Sequence, residues 1–420
     1  MVISSFDLTT ALKTVRQAAN QLNSTDGGAK AVSAALEAMG QALQQRKDDI
    51  LEANTLDLEI SRDMAVPDLV VDWLKLTPER VQTAADIFHR LAVMGRPSAD
   101  SLSGYCAKPL GVLGFIYEAF PDLGAIAVGL SLRSGNALVL KGGSEASRTN
   151  QIITSILQNT LKEKGLPEGL IFAIEPTAVS RLDLTQCAEI DLIIAHGRPS
   201  LVDQIVQQAS RPVIPSRMGN CYLYWAASGS LDQVYQMIVK SHAGTPDAVN
   251  RIEKVLLHES HSENSVNRLW SRLQEKGFEI RADSSILRWG DPAEQASHHL
   301  EKPPERGPKS ATSQDWDMAY LKRMVAFRPV PDSAAALSWI NTHSSGHADS
   351  IVTADYAESR RFVSGCRSAS IYVNVSPQFI RNAEQVGAIA LGMSNQKGPA
   401  GGLIGMAVMQ ECQRIFHQAG

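Results

Sequence analysis

Over the first hundred residues, apolar positions recur at helical spacing. ALKTVRQAANQL (11–22) and AVSAALEAMGQALQQRKDDIL (31–51) each place a stripe of Ala, Leu, Val and Met on one face. A third helix is predicted from Thr77-Pro78 through VQTAADIFHRLAVMG (81–95): threonine caps free amides and proline suits the first turn. His89 in that helix reads as a partly exposed surface histidine. The pattern then changes to short apolar runs alternating with helical ones. PLGVLGFIYEAF (109–120) reads as a strand, AIAVGLSLRSG (125–135) as a buried helix closed by glycine, and NALVLKGGSEASRTNQIITSILQNTLKEKG (136–165) as strand, glycine turn and long helix. FAIEP (172–176) and DLIIAHG (191–197) are further strands. Strands alternating with helices favour right-handed crossovers and a mostly parallel sheet.

A second alternation follows CYLYWA (221–226): helix in SLDQVYQMIVKSHAG, strand in KVLLH (254–258), helix in SVNRLWSRLQEKG. DSIVTAD, ASIYVNVS and AIALGMS read as short strands, and Gly290 to Asp315 as an exposed loop. The adjacent His298 and His299 in that loop read as solvated, because no carboxylate or cysteine spacing accompanies them. The fold class is therefore α/β with two α/β domains and mostly parallel sheets. The expected limits are 1–225 for a cofactor-type domain, 226–378 for a second, catalytic-type domain, and 379–420 for a tail that assembles subunits or closes a cleft.

Composition adds exclusions. The chain has 420 residues, 44% hydrophobic, enough for a core and too long for a single one. Lys plus Arg number 40 and Asp plus Glu 44, with no long basic run, which argues against a nucleic-acid binder. No apolar run reaches the roughly 18 residues of a transmembrane helix, and the N-terminus lacks a secretory pattern. Five cysteines (Cys106, Cys187, Cys221, Cys366 and Cys412) carry no CxxC, so they predict neither a zinc site nor a disulfide framework. They read as mostly buried thiols of a cytoplasmic protein.

One turn carries candidate chemistry. Lys141, Gly142, Gly143, Ser144 and Glu145 follow a strand and open a helix. Amides at a helix start and the positive end of its dipole favour an anion such as a phosphate. There is no GxGxxG and no P-loop.

The segments LKLTPERV, PLGVLGFIYEAFPD, SLRSGNALVLKGGSEASRTN, PVIPSRMGNCYLY, SSGHADSIVTAD, SIYVNVSPQF and SNQKGPAG occur in this order over nearly the whole chain. Together they resemble the γ-glutamyl phosphate reductase (glutamate-5-semialdehyde dehydrogenase) family of the aldehyde dehydrogenase superfamily. The resemblance implies a proline-biosynthesis oxidoreductase with NADPH as cofactor, no metal, and a homo-oligomeric assembly without nucleic acid or membrane insertion. It also implies a cysteine thiolate that attacks the acyl phosphate and expels phosphate; the thioester then accepts hydride. The family carries that cysteine in a segment of the type RP-x-x-CN followed by E. Here Pro246, Asn250 and Glu253 keep the register, and the nucleophile position falls on Val249, which has no lone pair or proton to use.

Other positions depart as well. The family's YE-x-RPN is here Tyr117-Glu118-Ala119-Phe120-Pro121-Asp122, so an anionic Asp122 stands where an amide would steady an oxyanion. The PRGG turn is Ala195-His196-Gly197-Arg198, which argues against retention of NADP. The FTDGG and GLGAE segments read Phe379-Ile380-Arg381-Asn382-Ala383 and Val386-Gly387-Ala388-Ile389-Ala390. Three readings follow: a pseudoenzyme kept for binding, assembly or regulation, with its partner unnamed by the sequence; an active NADPH-dependent reductase; or another reaction on the same scaffold with His196 or Asp122 as acid or base.

Overall fold

The structure, a computed structural model, describes residues 7–24, 28–95, 105–244, 249–290, 307–384, 389–398 and 400–416. Five helices open the chain: α1 (Leu8–Ser24), α2 (Gly28–Gln45), α3 (Lys47–Asp63), α4 (Asp68–Leu74) and α5 (Pro78–Val93). Thr77 caps α5 by accepting from the amide of Arg80, with Pro78 in the first turn, as predicted. His89 is partly exposed and 3.1 Å from Glu37. There follow β1 (Tyr105–Pro109), β2 (Val112–Tyr117), α6 (Pro121–Arg133), β3 (Ala137–Lys141), α7 (Ser147–Glu163), β4 (Ile171–Ala173), α8 (Arg181–Gln186), β5 (Leu192–His196), α9 (Pro199–Gln208) and β6 (Val213–Ser216). Strands β2 to β6 form one sheet in the order β4-β3-β2-β5-β6, parallel throughout. Every residue of β2, β3 and β5 is buried, as expected of a sheet covered on both faces.

The second unit, Met218–Ile380, starts with β7 (Cys221–Trp225) and continues through α10 (Leu231–Ser241), β8 (Ile252–His258), α11 (Glu263–Glu275), β9 (Glu279–Ala282), β10 (Lys309–Ser310), β11 (Met324–Val330), α12 (Ser333–His343), β12 (Ala348–Val352), α13 (Tyr356–Gly365) and β13 (Ser370–Val373). Its sheet runs β10-β9-β11-β8-β7-β12-β13, again all parallel. One face packs α10 and α11 through Val234, Ile238, Leu269 and Trp270. The other packs Tyr224, Leu256, Ile340 and Phe362. From Arg381 the chain belongs to the first unit, with β14 (Met393–Ser394) antiparallel to β15 (Gly402–Leu403) and β16 (Gln410–Arg414) antiparallel to β1.

The two compact units divide at 217/218, and Cys221–Trp225 pairs with β8 and β12. Several expectations need correcting. AIALGMS contributes only a bridge at Ile389 and the two-residue β14. Of the stretch 290–315, residues 291–306, with His298 and His299, lie outside the described residues. The remainder is not simply exposed loop: Lys309–Ser310 pairs with β9, and Asp315 is buried in a capping box with Thr312. The thiols are not mostly buried either, since only Cys221 is.

One interaction locks the connection from β3 to α7 in the first unit. Asp57 on α3 is buried and accepts from the amides of Thr149 (2.8 Å) and Arg148 (3.2 Å) and from the Thr149 hydroxyl (2.7 Å). A carboxylate from another helix thus caps α7. Asp57→Ala leaves a buried amide and hydroxyl unpaired. It is expected to cost about 2 kcal/mol in denaturant unfolding, with Asp57→Asn recovering part of the loss.

Candidate active site

In the second unit, β8 is a central strand, and Val249 directly precedes it. Val249 is fully buried, and its carbonyl accepts from the Gly219 amide at 3.0 Å. A Cβ on Gly219 would lie 2.2 Å from that carbonyl, so glycine alone permits this approach. Cys221 Sγ is 3.7 Å from the same oxygen. Burial, reinforced by the carboxylate of Asp349, pushes this thiol well above its ordinary range. Cys221 is therefore a protonated packing residue. Asn250 is buried; Pro246 lies outside the described residues.

Glu253 is buried in β8. Its carboxylate accepts from the amides of Tyr320 (2.6 Å) and Leu321 (3.1 Å) and lies 3.4 Å from the Lys254 ammonium. Lys254 in turn donates to the Met318 carbonyl and sits 3.5 Å from the centre of the Tyr320 ring. Burial raises the carboxyl and lowers the ammonium. These contacts make Glu253 a clamp between β8 and residues 318–321. Nearby, the sequence reading missed His242, whose Nε2 bonds the Ile252 carbonyl at 2.9 Å while its ring edge meets Phe278. Burial holds it down to about 3, so the imidazole is neutral.

In the first unit, the parallel register of β2 and β5 sets Tyr117 beside His196. The segments that follow both strands, 118–122 and 197–198, are brought together at the carboxyl edge where open α/β sheets bind ligands. Phe120, Asp122, His196 and Arg198 meet there. Phe120 is fully buried, stacked on Trp73 at 5.0 Å, with His196 against its edge at 5.1 Å. His196 is fully buried, with Nδ1 2.8 Å from the Ser216 hydroxyl. Arg198 wraps the Glu118 carboxylate, Nη2 to Oε1 at 2.6 Å, and donates its amide to Oε2 at 3.1 Å.

Asp122 requires a correction. It is not a bare anion: Arg80 grips both its oxygens, Nε to Oδ2 at 3.0 Å and Nη2 to Oδ1, and also donates to the carbonyls of Trp73 and Lys75. Its charge is countered by that guanidinium. Arg80 sits inside the LTPERV segment, but nothing in a sequence pairs residues 42 positions apart. His196 is thus buried against Ser216, and Asp122 is held by Arg80.

The glycine turn is equally tied down. Lys141 Nζ donates to the carbonyls of Glu175 (3.0 Å) and Pro176 (2.6 Å), and burial together with Arg181 lowers its ammonium. Glu145 accepts from the Ala119 amide at 2.7 Å, where Ala119 adopts φ +52. The glycines allow close approaches: a Cβ on Gly142 would be 2.4 Å from Asn150 Nδ2, and one on Gly143 would be 2.0 Å from Glu145. The anion expected at the start of α7 is supplied by the protein itself, as Asp57. A cleft of about 430 Å³ remains beside the turn, lined by Lys141, Ser144, Ser180 and Arg181, with Leu201 and Ile205. The cleft thus combines the Arg181 guanidinium with hydroxyls and apolar side chains. No group of three or more His, Cys, Asp or Glu side chains set to hold a metal occurs among the described residues.

The Aldehyde dehydrogenase family model matches residues 3–283. The chain belongs to that family. Within the aldehyde dehydrogenase family it falls in the γ-glutamyl phosphate reductase branch. It is 43% identical to Gamma-glutamyl phosphate reductase 2 of Synechocystis sp. over 395 residues, 91% of each chain. It is 33% identical to Gamma-glutamyl phosphate reductase of Gloeobacter violaceus, over 92% of this chain and 91% of that one. The crystal structure of Gamma-glutamyl phosphate reductase from Thermotoga maritima superposes with a TM-score of 0.82 at 26% identity, covering 98% of this chain and 99% of that one. An acetylating aldehyde dehydrogenase from Geobacillus thermoglucosidasius, at 16% identity and TM-score 0.70 over 98% and 96% of the two chains, shares the fold. The two parallel α/β sheets expected from the sequence are those of this fold.

A buried carboxylate next to the Val249 loop gives a test of the second unit's electrostatics. Asp349 accepts from the Tyr222 amide (2.6 Å), from the Ser344 hydroxyl (2.6 Å) and from Ser368, yet burial still raises it to about 6. A raised carboxyl favours the fold fully below its unfolded pKa of about 4, and that contribution is lost as pH rises through about 6. Wild-type stability is expected to fall over this window by at most about 3 kcal/mol from this group. Asp349→Asn should flatten that decline in urea unfolding measured from pH 4 to 7.

Proposed function

We propose that this protein is a pseudoenzyme of the γ-glutamyl phosphate reductase branch, kept for binding, assembly or regulation and not for thiolate catalysis. Val249 carries this reading. The family register sets the nucleophile there, and the side chain present is a fully buried aliphatic one. The one cysteine alongside it, Cys221, is held as a thiol by burial. The remodelling of Phe120, Asp122, His196 and Arg198 into one internally paired cluster is of the same kind. Removing a catalytic nucleophile costs several orders of magnitude in rate.

A nicotinamide nucleotide, by family NADP, is a ligand whose phosphate and base the Lys141–Arg181 cleft suits. A homo-oligomer and a cytoplasmic setting complete the proposal. The likeness to Gamma-glutamyl phosphate reductases favours a second reading, active NADPH-dependent reduction of γ-glutamyl phosphate, and one assay separates the two. With glutamate-5-semialdehyde, phosphate and NADP, the purified protein is expected to form no NADPH above a heat-denatured control. Turnover at ordinary enzyme rates would overturn the proposal. Val249→Cys alone is expected to stay inactive, because Phe120 and Asp122 remain. NADPH titrated into the wild type, followed by nucleotide fluorescence, reports whether the cleft still binds independently of turnover.

A further inference from the structure

A second cleft, which shares Gly142, Ser144 and Pro176 with the first, lies between α7 and residues 173–177, with a volume of about 600 Å³. This is within the range of small-molecule sites, about 300–1,000 Å³. Its long wall is one face of α7. Ser147, Asn150, Gln151, Thr154, Ser155 and Gln158 follow each other there at helical spacing, three turns of hydroxyl and amide side chains without a charge. A helix face turned to water ordinarily carries charged residues. Among the described residues lining the cleft, the ionisable groups are the Glu175 carboxylate and the Tyr117 phenol. Lys141 directs its ammonium to backbone carbonyls and lines the neighbouring cleft. The wall thus offers many hydrogen bonds and no cation, which disfavours phosphates and carboxylates.

Two of the amides are already oriented. The Tyr117 hydroxyl donates to Asn150 Oδ1 at 3.1 Å, which leaves the Asn150 NH2 as donor, lying over Gly142 where a Cβ would block it. Gln158 Nε2 donates to the Ile171 carbonyl at 2.9 Å, which leaves its oxygen as acceptor. Eight residues separate them, about 12 Å along the helix. Thr154 lies between them and is almost fully buried. A fixed donor at one end, a fixed acceptor at the other and hydroxyls between them match two linked sugar rings better than one.

We propose that this cleft binds an uncharged polyhydroxylated ligand of disaccharide length, held by Asn150, Thr154 and Gln158. The inference does not depend on whether thiolate chemistry is lost. The test uses the full chain and saturation-transfer NMR with calorimetry, because sugars stabilise proteins generally by exclusion and a melting shift alone would not discriminate. The probes are trehalose and sucrose, with sorbitol as a shorter polyol and glucose 6-phosphate as an anion. Saturable binding of at least one disaccharide is expected, with sorbitol and the sugar phosphate weaker. Thr154→Val and Gln158→Leu, each checked for unchanged circular dichroism, should weaken binding about tenfold. Absence of saturable binding by either disaccharide, preference for the sugar phosphate, or undiminished binding in both folded variants would each overturn the proposal.

Discussion

A parallel sheet covered on both faces leaves no water to serve the polar groups at its strand ends. Each buried carboxylate or cation there must find its partners within the protein. Asp57, Asp122, Glu253 and Asp349 are all buried, and each is answered: by the first amides of α7, by Arg80, by two backbone amides and Lys254, and by one amide and two hydroxyls. The same demand governs the candidate site. At the carboxyl ends of β2 and β5 the polar groups likewise pair within the protein.

The architecture was legible because the hydrophobic period states it directly. Runs such as VLGFIY and LIIAH are apolar throughout, which marks strands buried on both sides, and Thr77-Pro78 marks a helix start chemically. Short pairings were less legible. Lys309–Ser310 joins a sheet with two residues and no apolar signal, and β7 belongs to the second unit only because its partners do. The resemblance drew attention to Val249 and to positions 120, 122 and 196. What they touch was hidden, because Arg80 with Asp122, Glu118 with Arg198 and Asp57 with Thr149 are long-range pairs.

The two sides of the glycine turn illustrate how much of a turn's polar chemistry a scaffold can use for its own frame. Lys141, Gly142 and Gly143 still shape the end of β3, yet the lysine is spent on the carbonyls of residues 175 and 176, and α7 begins on an internal carboxylate. The fold needs these contacts whether or not a ligand arrives.

The cluster at the ends of β2 and β5 also has a consequence for how its members can change. Arg80 is mostly buried and depends on Asp122 for its counter-charge, while Phe120 fills the space between Trp73 and His196. Asparagine at position 122 would strand a buried guanidinium, and arginine at 120 would set a second one beside it. These side chains are therefore energetically coupled: substitutions among them act jointly and not as independent sites.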